Sequence, residues 1–206
     1  MSKVSSLEQI RQRIVCSDYG SIYVASDFND LASNATVRKS LSRLANDGLI
    51  HRVLHGVYVY PEYNSFLQEF VVPSPHLIAQ TIARNHGWAI VPEGNTALNL
   101  IGLSTQVPAE WVYVSTGPYK TYTYGKITIR FNHTALKDIS SVSYKTALVV
   151  QALKAIGKDR LDDDVLQRIS GLMTDREKAA CLSEGKYMTQ WVYEALRSSF
   201  EKAVSA

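Results

Sequence analysis

The cations and hydrogen-bonding side chains of residues 36–46 are spaced for reading a nucleic acid. In the run TVRKSLSRLAN, a helical plot at 100° per residue puts Val37, Leu41 and Leu44 on one side. Thr36, Lys39, Ser42, Arg43 and Asn46 fall on the other, with Arg38 on the flank and Asp47 as the acid near the C-terminal edge. Arg and Lys reach guanine edges, Asn pairs with adenine, and hydroxyls bond phosphates, so such a face suits duplex DNA. An ordinary amphipathic helix with a solvated polar face has the same look. The neighbouring elements have to decide between the two. Arg52 and His55 follow in LIHRVLHGVYVY, where they would sit near phosphates or a minor groove.

Other chemistry is thinly represented. Glu184-Gly-Lys186 is a literal E-x-K of the kind metal-dependent nucleases use. That use needs a strand presenting both side chains, whereas the central glycine here reads as a helix end. His76, His86 and His133 lack ligand spacing with each other or with a cysteine. Gly94 and Gly102 are followed by neither Lys-Ser nor Lys-Thr, so no phosphate loop is implied. The expectation is a protein without catalytic residues, metal or cofactor.

The elements around the basic helix have a recognisable order. Ser26 is a natural N-cap for a short helix through Leu31, and Asn34 for a longer one from Ala35 to Asn46. Only a few residues separate them, as a helix-turn-helix requires. Gly48 supplies the positive φ that often follows a helix end. LIHRV and GVYVY, joined around Leu54-His55-Gly56, read as a two-stranded wing. An earlier helix, about Ser6 to Cys16, sets Leu7, Ile10 and Ile14 on one face. Residues 1–61 are therefore expected to form a winged helix-turn-helix domain.

Residues 62–74 are the expected linker, framed by Pro61, Pro73 and Pro75. Residues 75–206 are expected to form a mixed α/β domain with a helical C-terminal half, making the fold class α+β. Ser74-Pro75 should start a helix that ends before Gly87. WAIV, EWVYVST and KITIRFNH read as strands, and TALNLIGLS as an apolar helix. Four further helices follow from Ser143, one of them announced by the capping box Thr174-Asp-Arg-Glu177.

From Trp111 through Lys137 there is no Asp or Glu, while Lys120, Lys126, Arg130 and Lys137 are interleaved with Tyr113, Tyr119, Tyr122 and Tyr124. A basic, tyrosine-rich strand pair can meet an acidic protein partner. It can equally touch nucleic acid through stacking and phosphate contact, or be a solvated face with aromatic cross-strand pairs. The candidate partner surface comprises Lys120, Tyr122, Tyr124, Lys126, Arg130 and Lys137.

The net charge of +3 over 206 residues leaves nucleic-acid affinity to local patches. Cys16 and Cys181 lie far apart in helical patterns and read as small buried residues rather than a disulfide. The N-terminal MSKVSSLEQIRQR has no apolar signal region, and no apolar run would span a bilayer. A cytoplasmic protein is the expectation.

LSRLANDGLIHRVLHGVYVY, followed by the segment NTALNLIGLSTQVP at 95–108, resembles the AbiEi-type antitoxins, and the likeness runs over nearly the whole chain. It implies a winged-helix transcriptional regulator that represses its own promoter cooperatively, joined to a domain that counteracts a nucleotidyltransferase-type toxin in a type IV toxin–antitoxin, or abortive-infection, system. In such systems the antitoxin can act without a stable complex with the toxin. The basic residues that the resemblance carries over are Lys39, Arg43 and Arg52. The family often has Arg before the Gly-Val-Tyr of the wing, where this chain has His55. Two alternatives stand beside this: a winged-helix transcription factor with a ligand-sensing or dimerisation domain and no toxin, and a DNA-targeted nuclease.

Overall fold

The computed structural model of the chain describes residues 4–135 and 141–204, the side chains of 202–204 excepted. The fold is α+β, with eight α-helices and three small sheets among the described residues. The chain divides into two compact units. One runs through Gly87 and includes Thr123–Lys126; the other comprises Trp88–Tyr122 and Ile127 onward.

In the first unit, helix α1 (Ser6–Val15) is capped by Ser5, whose hydroxyl accepts the Glu8 N–H. Strand β1 (Ile22–Tyr23) leads into a 3₁₀ turn, Ala25–Phe28, in place of the expected helix from Ser26 to Leu31. The turn is closed by Asp27 rather than Ser26, since Asp27 Oδ2 accepts the Val24 N–H at 2.9 Å. Helix α2 spans Asn34–Asn46, and its cap is Ser33 rather than Asn34. Ser33 has the extended backbone that an N-cap needs and accepts the Thr36 N–H. Gly48, at φ 79°, ends the helix as expected. The Gly48 and Leu49 N–H groups bond back to the Ala45 and Leu44 carbonyls, the Schellman arrangement. Strands β2 (His51–Leu54) and β3 (Val57–Val59) complete a three-stranded sheet in the order β1-β3-β2.

Ile10, Ile14, Phe28, Val37, Leu41, Leu44 and Ile50 form the core of this unit with Tyr23 and Tyr58. Burying each large apolar side chain contributes about 1.5–3 kcal/mol before the entropy of ordering is set against it. Cys16 is exposed, against expectation. It sits at the C-cap of α1, one residue beyond the helix whose buried face is Ile10 and Ile14.

The stretch 62–74 is not a bare linker. It carries a hairpin of β4 (Tyr63–Asn64) and β5 (Glu69–Phe70). Asn64 Oδ1 accepts the N–H groups of Phe66 and Leu67, and Gln68 takes a positive φ of 54° to close the loop. Helix α3 (Pro75–His86), expected to open the second domain, belongs to the first unit instead. Its apolar face, Ile78, Ala79, Ile82 and Ala83, is buried. Arg84 pairs with Asp27, and the Ser26 hydroxyl donates to Asn85 Oδ1 at 3.2 Å. The positive φ of Gly87 (68°) stops α3.

The second unit is built on the sheet β6-β7-β9-β8, with β6 (Ile90–Pro92), β7 (Glu110–Ser115), β8 (Lys120–Tyr124, of which the residues through Tyr122 belong to this unit) and β9 (Ile127–His133). β7 and β9 are parallel, in the register Trp111↔Ile129 and Tyr113↔Phe131. Trp111, Tyr113, Ile129 and Phe131 are buried on one face. On the other, Val114 and Val91 pack with Ala147 of helix α5 (Tyr144–Ile156). Helix α4 (Asn95–Leu100) is tied to β7 by Thr96 Oγ1, which accepts the Val112 N–H at 2.8 Å.

The C-terminal half is helical, as expected. α5 joins α6 (Asp163–Gly171), α7 (Asp175–Ser183) and α8 (Gln190–Val204) around Val149, Leu153, Ile169, Cys181, Val192, Leu196 and Phe200. The capping box of α7 is formed. Thr174 Oγ1 accepts the Glu177 N–H at 3.3 Å, and Glu177 Oε2 accepts the Thr174 N–H at 2.8 Å. Those bonds hold the Glu177 carboxyl below its ordinary range. A depressed carboxyl stabilises the folded state above its unfolded pKa, and that contribution is lost as pH falls through the folded pKa. Glu177→Ala is therefore expected to lower the melting temperature at neutral pH. The gap from the parent should close in acid, below the usual carboxylate range, which paired thermal scans across pH would show.

Candidate nucleic-acid interface

The face of α2 opposite its buried Val37, Leu41 and Leu44 is open. Thr36, Arg38, Lys39, Arg43 and Asn46 are all exposed, and Ser42 is half-buried. Arg43 is held only loosely by Asp47, 4.0 Å away, with both side chains mostly in water. Such a pair is worth at most ~1 kcal/mol and leaves the guanidinium free to reach elsewhere.

Arg52 connects this helix to the β2–β3 hairpin. Its Nη2 donates to Ser42 Oγ at 3.4 Å and to Tyr58 Oη at 2.9 Å, and its guanidinium lies 5.2 Å from the Tyr58 ring centre. Arg52 stands opposite Tyr58 because the ladder carries an irregularity between Arg52 and Leu54. That register swings the cation to the α2 side of the hairpin. Arg52 stays exposed, so its remaining donors are available. His55 is exposed in the turn closed by Gly56, whose φ is 77°. Tyr58 is a residue of this surface that the sequence does not single out. The alternation of GVYVY marked it only as a strand residue; its role depends on the bulge.

The basic, tyrosine-rich stretch is split up by the pleat. Lys120, Tyr122 and Tyr124 alternate along β8 on one side of the strand. Lys120 Nζ lies 5.8 Å from the Tyr122 ring centre, and Tyr122 meets Phe131 edge-on at 5.9 Å. Arg130 neighbours Phe131 on β9 and so points to the opposite side of the sheet. There it pairs with Glu110 at 2.8 Å, an acid one residue outside the acid-free stretch. Burial pushes the Tyr122 phenol up and that of Tyr124 up to about 12. Tyr124 also donates to the Pro73 carbonyl at 3.2 Å. Lys126 is exposed. Lys137 lies outside the described residues.

The E-x-K residues have other tasks. Glu184 Oε1 accepts the Ser143 N–H at 3.0 Å at the start of α5. A β-carbon at Gly185 would overlap the Tyr193 ring, and Lys186 Nζ stands 4.9 Å from the Tyr187 ring centre. Among the described residues no group of three or more His, Cys, Asp or Glu could hold a metal ion. His133 Nδ1 is 2.8 Å from the Gly117 carbonyl, and burial lowers the pKa of His76. No helix of the described residues is long and apolar enough to cross a membrane.

Segment 95–108 also has a structural reason for its residues. Gly102, at φ 72°, ends α4, and the Leu103 N–H returns to the Leu98 carbonyl. Asn99 Nδ2 donates to the Gln106 carbonyl at 3.0 Å, closing the segment on itself. Arg168 Nη2 donates to the Gly102 carbonyl at 2.6 Å, which anchors it to α6.

The chain belongs to a protein family: the model described as "Family of unknown function (DUF6088)" matches residues 9–181. No curated protein matches the chain.

Proposed function

We propose that the chain is a DNA-binding transcriptional autorepressor and an antitoxin. Its first unit would act as a winged helix-turn-helix, with α2 entering the major groove and β2–β3 serving as the wing. The observation that carries the DNA half is the bond from Arg52 to Ser42, which sets the hairpin cation on the same surface as Lys39 and Arg43. A solvated helix face needs no such tie. Base edges would be read by Arg38, Lys39, Arg43 and Asn46, and phosphates by Thr36, Arg52 and His55. The likeness of residues 95–108 to AbiEi-type antitoxins supports the second half, in which a nucleotidyltransferase-type toxin is counteracted.

A gel-shift titration of the chain against DNA from upstream of its own gene tests the first half. The expected result is a specific shift with successive complexes that weakens with salt, log K falling by about 0.9 per log unit of salt for each phosphate neutralised. A shift no stronger than that of scrambled DNA refutes it. For the second half, Lys120→Glu and, separately, Lys126→Glu are expected to abolish rescue of growth from a co-expressed nucleotidyltransferase-type toxin while the gel shift persists. Arg130→Glu should matter less, because Glu110 already pairs with that cation. Full rescue by both lysine variants would remove the basic stretch from toxin counteraction.

A further inference from the structure

The hairpin β4–β5 carries an apolar surface that stays largely exposed, although Phe70 meets the His51 ring edge-on at 4.4 Å. Phe66 is 92% exposed, Val72 65%, Leu67 61%, Tyr63 55%, Phe70 50% and Val71 44%. Tyr63, Phe70 and Val72 share one side of the hairpin and Val71 faces the other. With about 150–250 Å² for an aromatic side chain, the two sides and the tip together expose roughly 600 Å² of apolar surface. That total is near the ~800 Å² that each partner contributes to a standard stable interface, and at the upper end of what monomers leave in water.

Charge narrows the choice of occupant. Residues 53–83 contain no Lys or Arg, and the hairpin itself holds Glu62 and Glu69. DNA phosphates and acidic lipid surfaces are therefore repelled. The backbone narrows it further. The Val71 N–H donates to the Glu62 carbonyl at 2.8 Å, so by the alternation of an antiparallel ladder Phe70 and Val72 turn their N–H and C=O groups outwards. β5 is an edge strand of a two-stranded sheet. A free two-stranded hairpin is at best marginally stable in water and gains from a third strand. The β4 edge is blunted by Pro61, which lacks a donor, whereas the β5 edge runs clear to Pro73.

We propose that β5 pairs antiparallel with β5 of a second copy of this chain, so that two hairpins form one four-stranded sheet across a two-fold axis. An axis through Val71 sets Phe70 opposite Val72, matching outward donors with outward acceptors, and sets Val71 opposite itself. The two Glu69 carboxylates then lie opposite Pro73 rather than each other, which avoids a like-charge pair. The contact is isologous and closes at two copies. It is independent of the DNA reading, since it forms without DNA.

Sedimentation equilibrium over a concentration series, without DNA, tests it. The expected mass rises from 23.0 kDa towards twice that value. Val71→Asp, which sets two carboxylates against each other at the axis, returns it to the monomer. A second measurement does not depend on that variant folding. In a Cys16→Ser background, which removes the exposed native thiol, Val71→Cys is expected to give a disulfide-linked dimer on mild oxidation. Ser65→Cys at the hairpin tip should give none. A parent chain that stays at 23.0 kDa throughout overturns the proposal. So does a dimer in which the Val71→Cys variant fails to cross-link, because its interface lies elsewhere.

Discussion

Alanine at both Lys39 and Arg43 is expected to weaken binding to the chain's own upstream DNA by about 2 kcal/mol or more, roughly thirtyfold, with the fold unchanged. Both side chains are exposed and neither packs in the core around Val37, Leu41 and Leu44. Removing them costs folding only the loose Arg43–Asp47 pair, worth at most ~1 kcal/mol. The two effects are separable in one titration. A side chain that reads a base costs about 1–3 kcal/mol and relaxes specificity at one position. A side chain that grips a phosphate weakens every sequence alike and lowers the salt slope by about one. Titrations of the parent, each single variant and the double variant, at two salt concentrations against operator and scrambled DNA, assign each residue to one class. Unchanged affinity in the double variant, with unchanged circular dichroism, would show that α2 is not the reading element.

What the sequence made legible here follows local rules. The buried and open faces of α2, the positive φ at Gly48 and the Thr174–Glu177 box each depend on residues within one or two turns. So does the alternation of β9. The misses depend on partners distant in sequence or on backbone geometry that residue type alone does not fix. Ser26 has the chemistry of a helix cap, but the tighter 3₁₀ turn is closed by Asp27, which α3 also engages through Arg84. Ser33 and Asn34 are both cap-forming residues, and only the extended backbone at Ser33 separates them. The boundary at 62–74 rests on prolines, which mark the ends of elements and say nothing about which core a following helix joins. The buried face of α3 decided that.

The candidate site divides in the same way. Lys39, Arg43 and Asn46 could be read from helical periodicity alone. The setting of Arg52 could not. A regular ladder from Leu54↔Val57 would put Arg52 opposite Val59, where no hydroxyl or ring could hold it. The bulge puts it opposite Tyr58. In the basic stretch, an acid-free run of sequence suggested one cationic surface, but alternation places Arg130 and Lys120 on different sides of the sheet. A charge count along the chain is blind to the pleat.

That pleat also locates the second large effect. Phe131→Ala is expected to destabilise the second unit by about 3–5 kcal/mol. Phe131 is fully buried on β9, between β7 and β8 in the sheet. Its ring centre stands 5.6 Å from that of Trp88, 5.8 Å from Tyr113 and 5.9 Å from Tyr122. Truncation removes three aromatic contacts as well as the transfer energy of the ring. The neighbours are poorly placed to collapse into the space. Trp88 lies over Gly117, where even a β-carbon would overlap its ring, and Tyr113 is fixed by the parallel register of β7 on β9. The chain's three tryptophans, Trp88, Trp111 and Trp191, all belong to the second unit. Tryptophan fluorescence during denaturant unfolding therefore follows this unit alone, and the change appears as a lowered midpoint. A loss below about 1 kcal/mol would mean that the sheet relaxes around the vacancy. Phe131 would then fill space beside β7 and β8 rather than hold the aromatic face together.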